Sequence, residues 1–242
     1  MKPFKLSALI LCIALATVMI GHYSTGSRNV ADAHASELTG SGGSTNESVA
    51  PSNLSGAAMP LARYRLDASQ SRFMVRAFAG GLLWFKGHDH FIAVRDFLGE
   101  VQLTPSAISP ASLQMTIRAE SLVETRDVFT EQQKQIIDRE LREIVLETNK
   151  YPEISFKSSE VTVNLSGGQI QAKIGGDLTL HGVTRHIVIP TEVTVSGSTL
   201  RARGEFTINR SDYNVKATSA FHGTVRVRDN LKFTFDIVAQ QI

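Results

Sequence analysis

The chain has 242 residues, a formal net charge of +2 and a single cysteine, Cys12. That length suits one domain of ordinary size with appendages. A nearly neutral chain with no dense Lys/Arg stripe argues against nucleic acid as a partner, because phosphate binding needs clustered cations.

The N-terminus reads as an export signal. Lys2 and Lys5 precede an uncharged apolar run from Leu6 to Gly21. The run is a little short of the roughly 20 residues of a spanning helix. Residues 1–26 are therefore expected to be a signal peptide, cut after Gly26 or Ala35, or else an uncleaved membrane anchor. Either reading places the remainder in the periplasm or cell envelope, and the second attaches it to the inner membrane. Cys12 follows Ile10 and Leu11 rather than a small residue, so lipidation is not expected. The exported part carries no thiol, disulfide or cysteine metal ligand. Residues 27–60, including "SELTGSGGSTNESVAPSNLSGAA", are rich in Ser, Gly, Asn and Thr. They bury too little to offset chain entropy and read as a flexible linker.

From Tyr64 onward the period is two. Phe73 and Val75 alternate with Arg72, Met74 and Arg76. Val161, Val163 and Leu165 share a face, as do Ile170, Ala172 and Ile174, then Leu178 and Leu180. This is the pattern of strands with one face buried and one wet. Turn signals separate them: "SGGQ" after Leu165, His181–Gly182 as a two-residue loop, and "SGS" at 196–198. One segment, 130–150, has helical spacing at Ile136, Ile137, Leu141, Ile144 and Val145. Thr130 with Gln133 fits a capping box at its start. It is expected to lie across one barrel mouth, as packing or as a lid.

About eight strands joined by short loops predict an all-β domain over 61–242 with one or two short helices. Closing the sheet into an antiparallel eight-stranded barrel would remove its edges, and a sandwich is the competing solution. A barrel of that size holds side chains or one slender ligand. With the more aromatic face turned inward, the candidate lining is Phe73, Val75, Trp84 and Phe156, then Leu178, Leu180, Phe206, Phe233 and Phe235. Burying about 400 Å² of apolar tail gains on the order of 10 kcal/mol, of which association takes back a large part.

"KYPEISFKS" (150–158), "GDLTLHGVTRHIVIP" (176–190) and "INRSDYNV" (208–215) occur in that order, after "YRLDASQSRFMV" (64–75) and "FLGEV" (97–101). Together they resemble the YceI-like family over roughly residues 62–242. The resemblance implies an exported, lipocalin-like barrel that binds an isoprenoid chain, a polyprenyl or quinone tail, without chemistry of its own. It implies carriage or sequestration of that lipid, and no cofactor beyond it. Two departures stand out. Gln70 occupies a position where the family usually has His, and the segment before the helix, often "KRDEHL", reads "TRDVFTEQQKQ", keeping Arg126 and Asp127 but not the His that follows.

"GHDHF" (87–91) is a further departure. In a strand His88 and His90 would point the same way, with Asp89 opposite. As a pair they could ligate zinc or copper, but a catalytic zinc needs a third ligand from His181, His186 or His222. The alternative is polar trim near a mouth, where His88, His90, Arg126 and Asp127 would meet a lipid headgroup. His181 itself reads as turn geometry, and 209–212 as a strand end. No GxSxG serine or Gly-rich phosphate loop appears, so an enzyme is not the expected reading. The rivals to a lipid carrier are a metal-binding envelope protein using His88 and His90, and a structural stress-response barrel with a filled interior. Membrane association through the N-terminus and a homodimer are both compatible with the sequence.

Overall fold

A computed structural model describes residues 61–104, 111–166, 169–220 and 224–242. The expected signal or anchor, the linker and His222 lie outside the described residues. The strands are β1 (Ala62–Gly80), β2 (His90–Val94), β3 (Phe97–Leu103), β4 (Ala111–Arg118) and β5 (Leu122–Glu124). After one helix, α1 (Glu131–Glu140), come β6 (Glu153–Ser166), β7 (Gln169–Leu180), β8 (Val183–Ser196), β9 (Thr199–Asn209), β10 (Ser219–Ala220) and β11 (Val225–Gln241).

Every pairing is antiparallel, and β11 returns to pair with β1. β2 and β3 lie end to end along β1, and β5 and β4 lie end to end along them. The wall is therefore closed by eight strands: β1, β2–β3, β5–β4, β6, β7, β8, β9 and β11. Closure pairs every long strand on both sides. The barrel, and not the sandwich, is the fold.

A side-chain period of two would carry a whole strand in phase, yet β1 changes phase. Ala62, Tyr64 and Leu66 are buried, and so are Phe73 and Val75. The shift falls between Asp67 and Arg72, where the register with β11 slips. Asp67 builds the bulge. Its Oδ1 accepts from the Ser69 and Gln70 amides, at 2.9 and 3.3 Å, and its carbonyl accepts from Ser71 Oγ. Ser71 Oγ then accepts from the Val238 amide and ties the bulge to β11. An extra loop in one strand bends it and resets which face points in.

Hairpin turns follow their residues. His181 (φ 52°) and Gly182 (φ 73°) give the two positive angles that a tight turn between β7 and β8 requires. Gly197 (φ 57°) gives a single positive angle in the turn between β8 and β9.

The helix differs from expectation. Thr130 and Gln133 form the capping box, but α1 ends at Glu140 and continues as a π-turn over Leu141–Val145. The Leu146 amide donates to Leu141 O, so the chain gains a residue in that turn. The gain rotates Leu146, rather than Ile144, into the core; Ile144 is exposed and no residue of α1 is buried. Only Leu141 and Val145 of the expected face pack against the core. The helix lies against β5, where Asp138 Oδ1 accepts the Glu124 amide at 2.6 Å.

Candidate functional site

Inside the barrel is a void of about 130 Å³. On a scale where an apolar cavity of about 150 Å³ admits benzene, this is space for a slender apolar group. Its lining is aliphatic and aromatic. Ser112 and Ser155 alternate with inward-facing neighbours and contribute only from the wall, while the buried Thr191 hydroxyl donates to Ile189 O. Buried apolar space of this kind repels water and rewards an apolar guest.

Of the expected lining, Phe73, Phe156, Leu178, Phe206 and Phe235 border the void. Val75 and Leu180 are buried beyond it. Phe233 stacks on Phe206 at 4.7 Å and meets Phe73 at 6.2 Å, also beyond it. Trp84 is a correction: it stands on a 3-10 turn after β1, 56 % exposed. Gly80 and Gly81 end the alternation before it, so period two no longer applies there. Much of the wall is aliphatic and escaped an aromatic criterion, including Leu66, Leu103, Met115, Ile187 and Leu200. Strand parity would have found them.

Two glycines keep the wall thin. A Cβ on Gly176 would meet the Phe156 ring at 2.7 Å, and one on Gly204 the Phe235 ring at 2.7 Å. Each ring thus packs against a glycine of a neighbouring strand.

The two ends of the barrel differ. Where β6 and β8 stop, Leu165 and Val195 continue the inward parity of Val163 and Val193 yet are 74 % and 38 % exposed. They form an exposed apolar edge on these two strands. At the other end Leu180, Ile208, Tyr213 and Leu146 are all buried and belong to the core. His181 closes that end as well, its Nε2 2.7 Å from Glu147 Oε2 and its ring 4.3 Å from Tyr151. The turn reading of His181 stands, with this packing added to it.

The His-Asp-His stretch is a clasp. β2 starts at His90, so His88 precedes the strand. Both rings rest on Phe129, His90 stacked at 5.5 Å and His88 edge-on at 5.7 Å. His90 Nδ1 lies 2.8 Å from Glu124 Oε2. The fully buried Glu124 also accepts the amides of Phe91, Thr125 and Arg126 on Oε1. Burial pushes the Glu124 carboxyl up, but the His90 contact and these amides hold it below its ordinary value. Asp89 accepts the Ala79 amide at 2.9 Å and Arg76 at 2.7 Å, and Arg126 Nη1 donates to its carbonyl. Asp127 is exposed. None of His88, His90, Arg126 or Asp127 borders the void. No three His, Cys, Asp or Glu side chains converge as metal ligands among the described residues. Sequence reasoning missed Glu124, because nothing in "LVETRD" marks a buried carboxylate.

Gln70, the departure in the first strand, sits exposed on the bulge with its Nε2 donating to Asp67. The substitution does not touch the lumen.

A closed, eight-stranded antiparallel barrel around an apolar void is a lipocalin-like barrel. Residues 64–239 match the model of the YceI-like domain, and the chain belongs to that family. A UPF0312 protein of Pseudomonas syringae pv. tomato is 33 % identical over 128 residues, covering 49 % of this chain and 61 % of that protein. One from Vibrio cholerae O1 is 35 % identical over 101 residues, covering 42 % and 48 %. The chain thus aligns with about half to three-fifths of the length of these relatives. Among solved structures, Burkholderia cenocepacia BcnA superposes with a TM-score of 0.57 at 22 % identity, over 72 % of this chain and 99 % of BcnA. A polyisoprenoid binding domain from Saccharophagus degradans gives 0.50 at 15 % identity, over 74 % and 98 %. Likeness at these identities is likeness of fold.

Proposed function

We propose that this barrel is a non-enzymatic carrier that binds and shields an isoprenoid chain, a polyprenyl or quinone tail, in the cell envelope. The carrying observation is the apolar lining of the lumen, together with the exposed apolar side chains of Leu165 and Val195 at one end of the barrel. A chain with no polar groups suits a wall that presents almost none. The void admits a short length of tail, and the exposed Leu165 and Val195 offer apolar surface to the rest. The polyisoprenoid binding domain with the same fold supports this choice of ligand. The apolar N-terminal run supports export, with the chain delivered or tethered beside the membrane where such lipids reside.

Native mass spectrometry of the full chain purified from envelope extract tests the reading. An adduct that organic extraction identifies as an isoprenoid is the expected result. Bare chain, together with no uptake of added polyprenol or quinone, overturns it.

A further inference from the structure

Beyond β1 the chain forms a tip whose apolar side chains face water. Leu82, Trp84 and Phe85 are 81 %, 56 % and 63 % exposed. Scattered exposed apolar residues mean little, but these are adjacent, and Trp84 and Phe85 touch edge to face.

The tip is held rigidly. Gly81 turns the chain at φ 88°. The Leu83 amide donates to Thr224 O, and the Lys86 and Gly87 amides close the 3-10 turn on Leu83 O and Trp84 O. A Cβ on Gly87 would come within 2.9 Å of Val225 Cγ1 and 3.2 Å of Ala79 Cβ, so that corner packs directly on the barrel. Asp89 clamps the base through the Ala79 amide and Arg76. The exposure is therefore built into the backbone and does not come from a frayed end.

The charge around the tip has one sign. Residues 81–88 contain Lys86 and no carboxylate. Gly80 pairs with Arg226. Arg226 and Arg228 are exposed beside the tip's base and have no carboxylate partner among the described residues. Asp89, the nearest acid in the chain, is taken by Arg76.

We infer that this tip docks on the surface of a bilayer containing anionic phospholipid. Leu82, Trp84 and Phe85 enter the boundary between headgroups and acyl chains, and Lys86, Arg226 and Arg228 face the phosphates. Tryptophan favours that boundary, and cations beside it add attraction to anionic lipid. A protruding tip offers a partner protein far less area than a stable interface buries. A bilayer accepts a few side chains without needing a complementary shape. The inference does not depend on what the lumen holds.

Trp84 is the only tryptophan in the chain, so its emission reads the tip alone, whatever the apolar N-terminal run does. The full chain is mixed with phosphatidylethanolamine–phosphatidylglycerol vesicles, some carrying brominated acyl chains. The expected result is a blue shift and quenching of Trp84 that weaken with salt. Leu82→Ser with Phe85→Ser should raise the lipid concentration needed for half of that signal at least ~10-fold, with circular dichroism unchanged. An unshifted emission in vesicle-bound chain overturns the inference. So does an equal response to phosphatidylcholine vesicles, or a blue shift that grows with protein concentration without lipid, which would mark self-association.

Discussion

Phe235 on β11 lies directly opposite Gly204 on β9, and its ring occupies the space where a side chain on that glycine would be. A Cβ there would stand 2.7 Å from Phe235 Cζ and press on Pro190 O as well. The ring can lie along the wall only because β9 has no side chain at that point. Gly204→Ala is expected to destabilise the barrel by about 1–3 kcal/mol through overpacking. Phe235→Leu in the same chain should recover part of that loss. Thermal unfolding of the two single variants and the double variant measures the coupling, and additive losses would mean that the two residues do not share this space.

Ala172 and Ala202 border the void from β7 and β9. A larger side chain at either position projects into empty space and not into packed neighbours. Ala202→Phe is expected to keep the barrel folded and to reduce uptake of an apolar fluorescent probe at least ~10-fold, since displacing even one buried contact area of a slender guest removes over 1.4 kcal/mol. Probe titration beside a melting curve separates lost volume from lost structure.

Alternation made the barrel legible, because each of β7 to β9 keeps one phase from end to end, and β6 changes phase only once, at the register shift between Ser158 and Glu160. β1 was harder. Its inward set runs 62, 64, 66 and then 73, 75, and the Asp67–Ser71 bulge that joins the two phases depends on side chain-to-backbone bonds that no periodicity encodes. The lumen was legible in kind and only partly in membership. Choosing by ring content found Phe156 and Phe206, missed Leu103 and Leu200, and wrongly included Trp84, whose neighbours Gly80 and Gly81 had already ended the strand. Histidines at 88 and 90 read as polar trim at a mouth, with metal ligation as the alternative, and their carboxylate partner was not legible. Glu124 is far off in sequence, and only the pairing of β2 with β5 brings it to His90.

Glu124 makes stability depend on acid. Its carboxyl is held below the ordinary value in the folded chain, so the unfolded state binds its proton first as pH falls. The stabilisation is fully present above the unfolded carboxyl pKa of about 4.3 and is lost as pH drops through the folded value. Glu124→Gln is expected to cost about 1–3 kcal/mol at pH 7, because the His90 contact weakens and the clasp loses its charge. Below about pH 4.3 the gap between variant and native chain should close. Urea unfolding at pH 7 and at successive acid steps shows it, and a gap constant with pH would assign the loss to packing instead.

Asp89 holds both ends of the tip. Its Oδ1 takes the Ala79 amide and its Oδ2 takes Arg76, while its carbonyl takes Arg126. Asp89→Ala leaves Ala79 N–H without its partner and frees Arg76, a loss of about 1–2 kcal/mol. The loss should be local, because the β1–β11 ladder from Tyr64–Gln241 to Gly80–Arg226 does not include Asp89. Hydrogen exchange is expected to quicken at the Leu83 and Gly87 amides, whose bonds to Thr224 and Trp84 close the loop, and to stay at the global limit for Ile237 and Ala239 in β11. Uniform acceleration would instead make Asp89 part of the barrel's cooperative core. Unchanged exchange at Leu83 and Gly87 would leave the tip's rigidity to Gly81, Gly87 and the 3-10 turn alone.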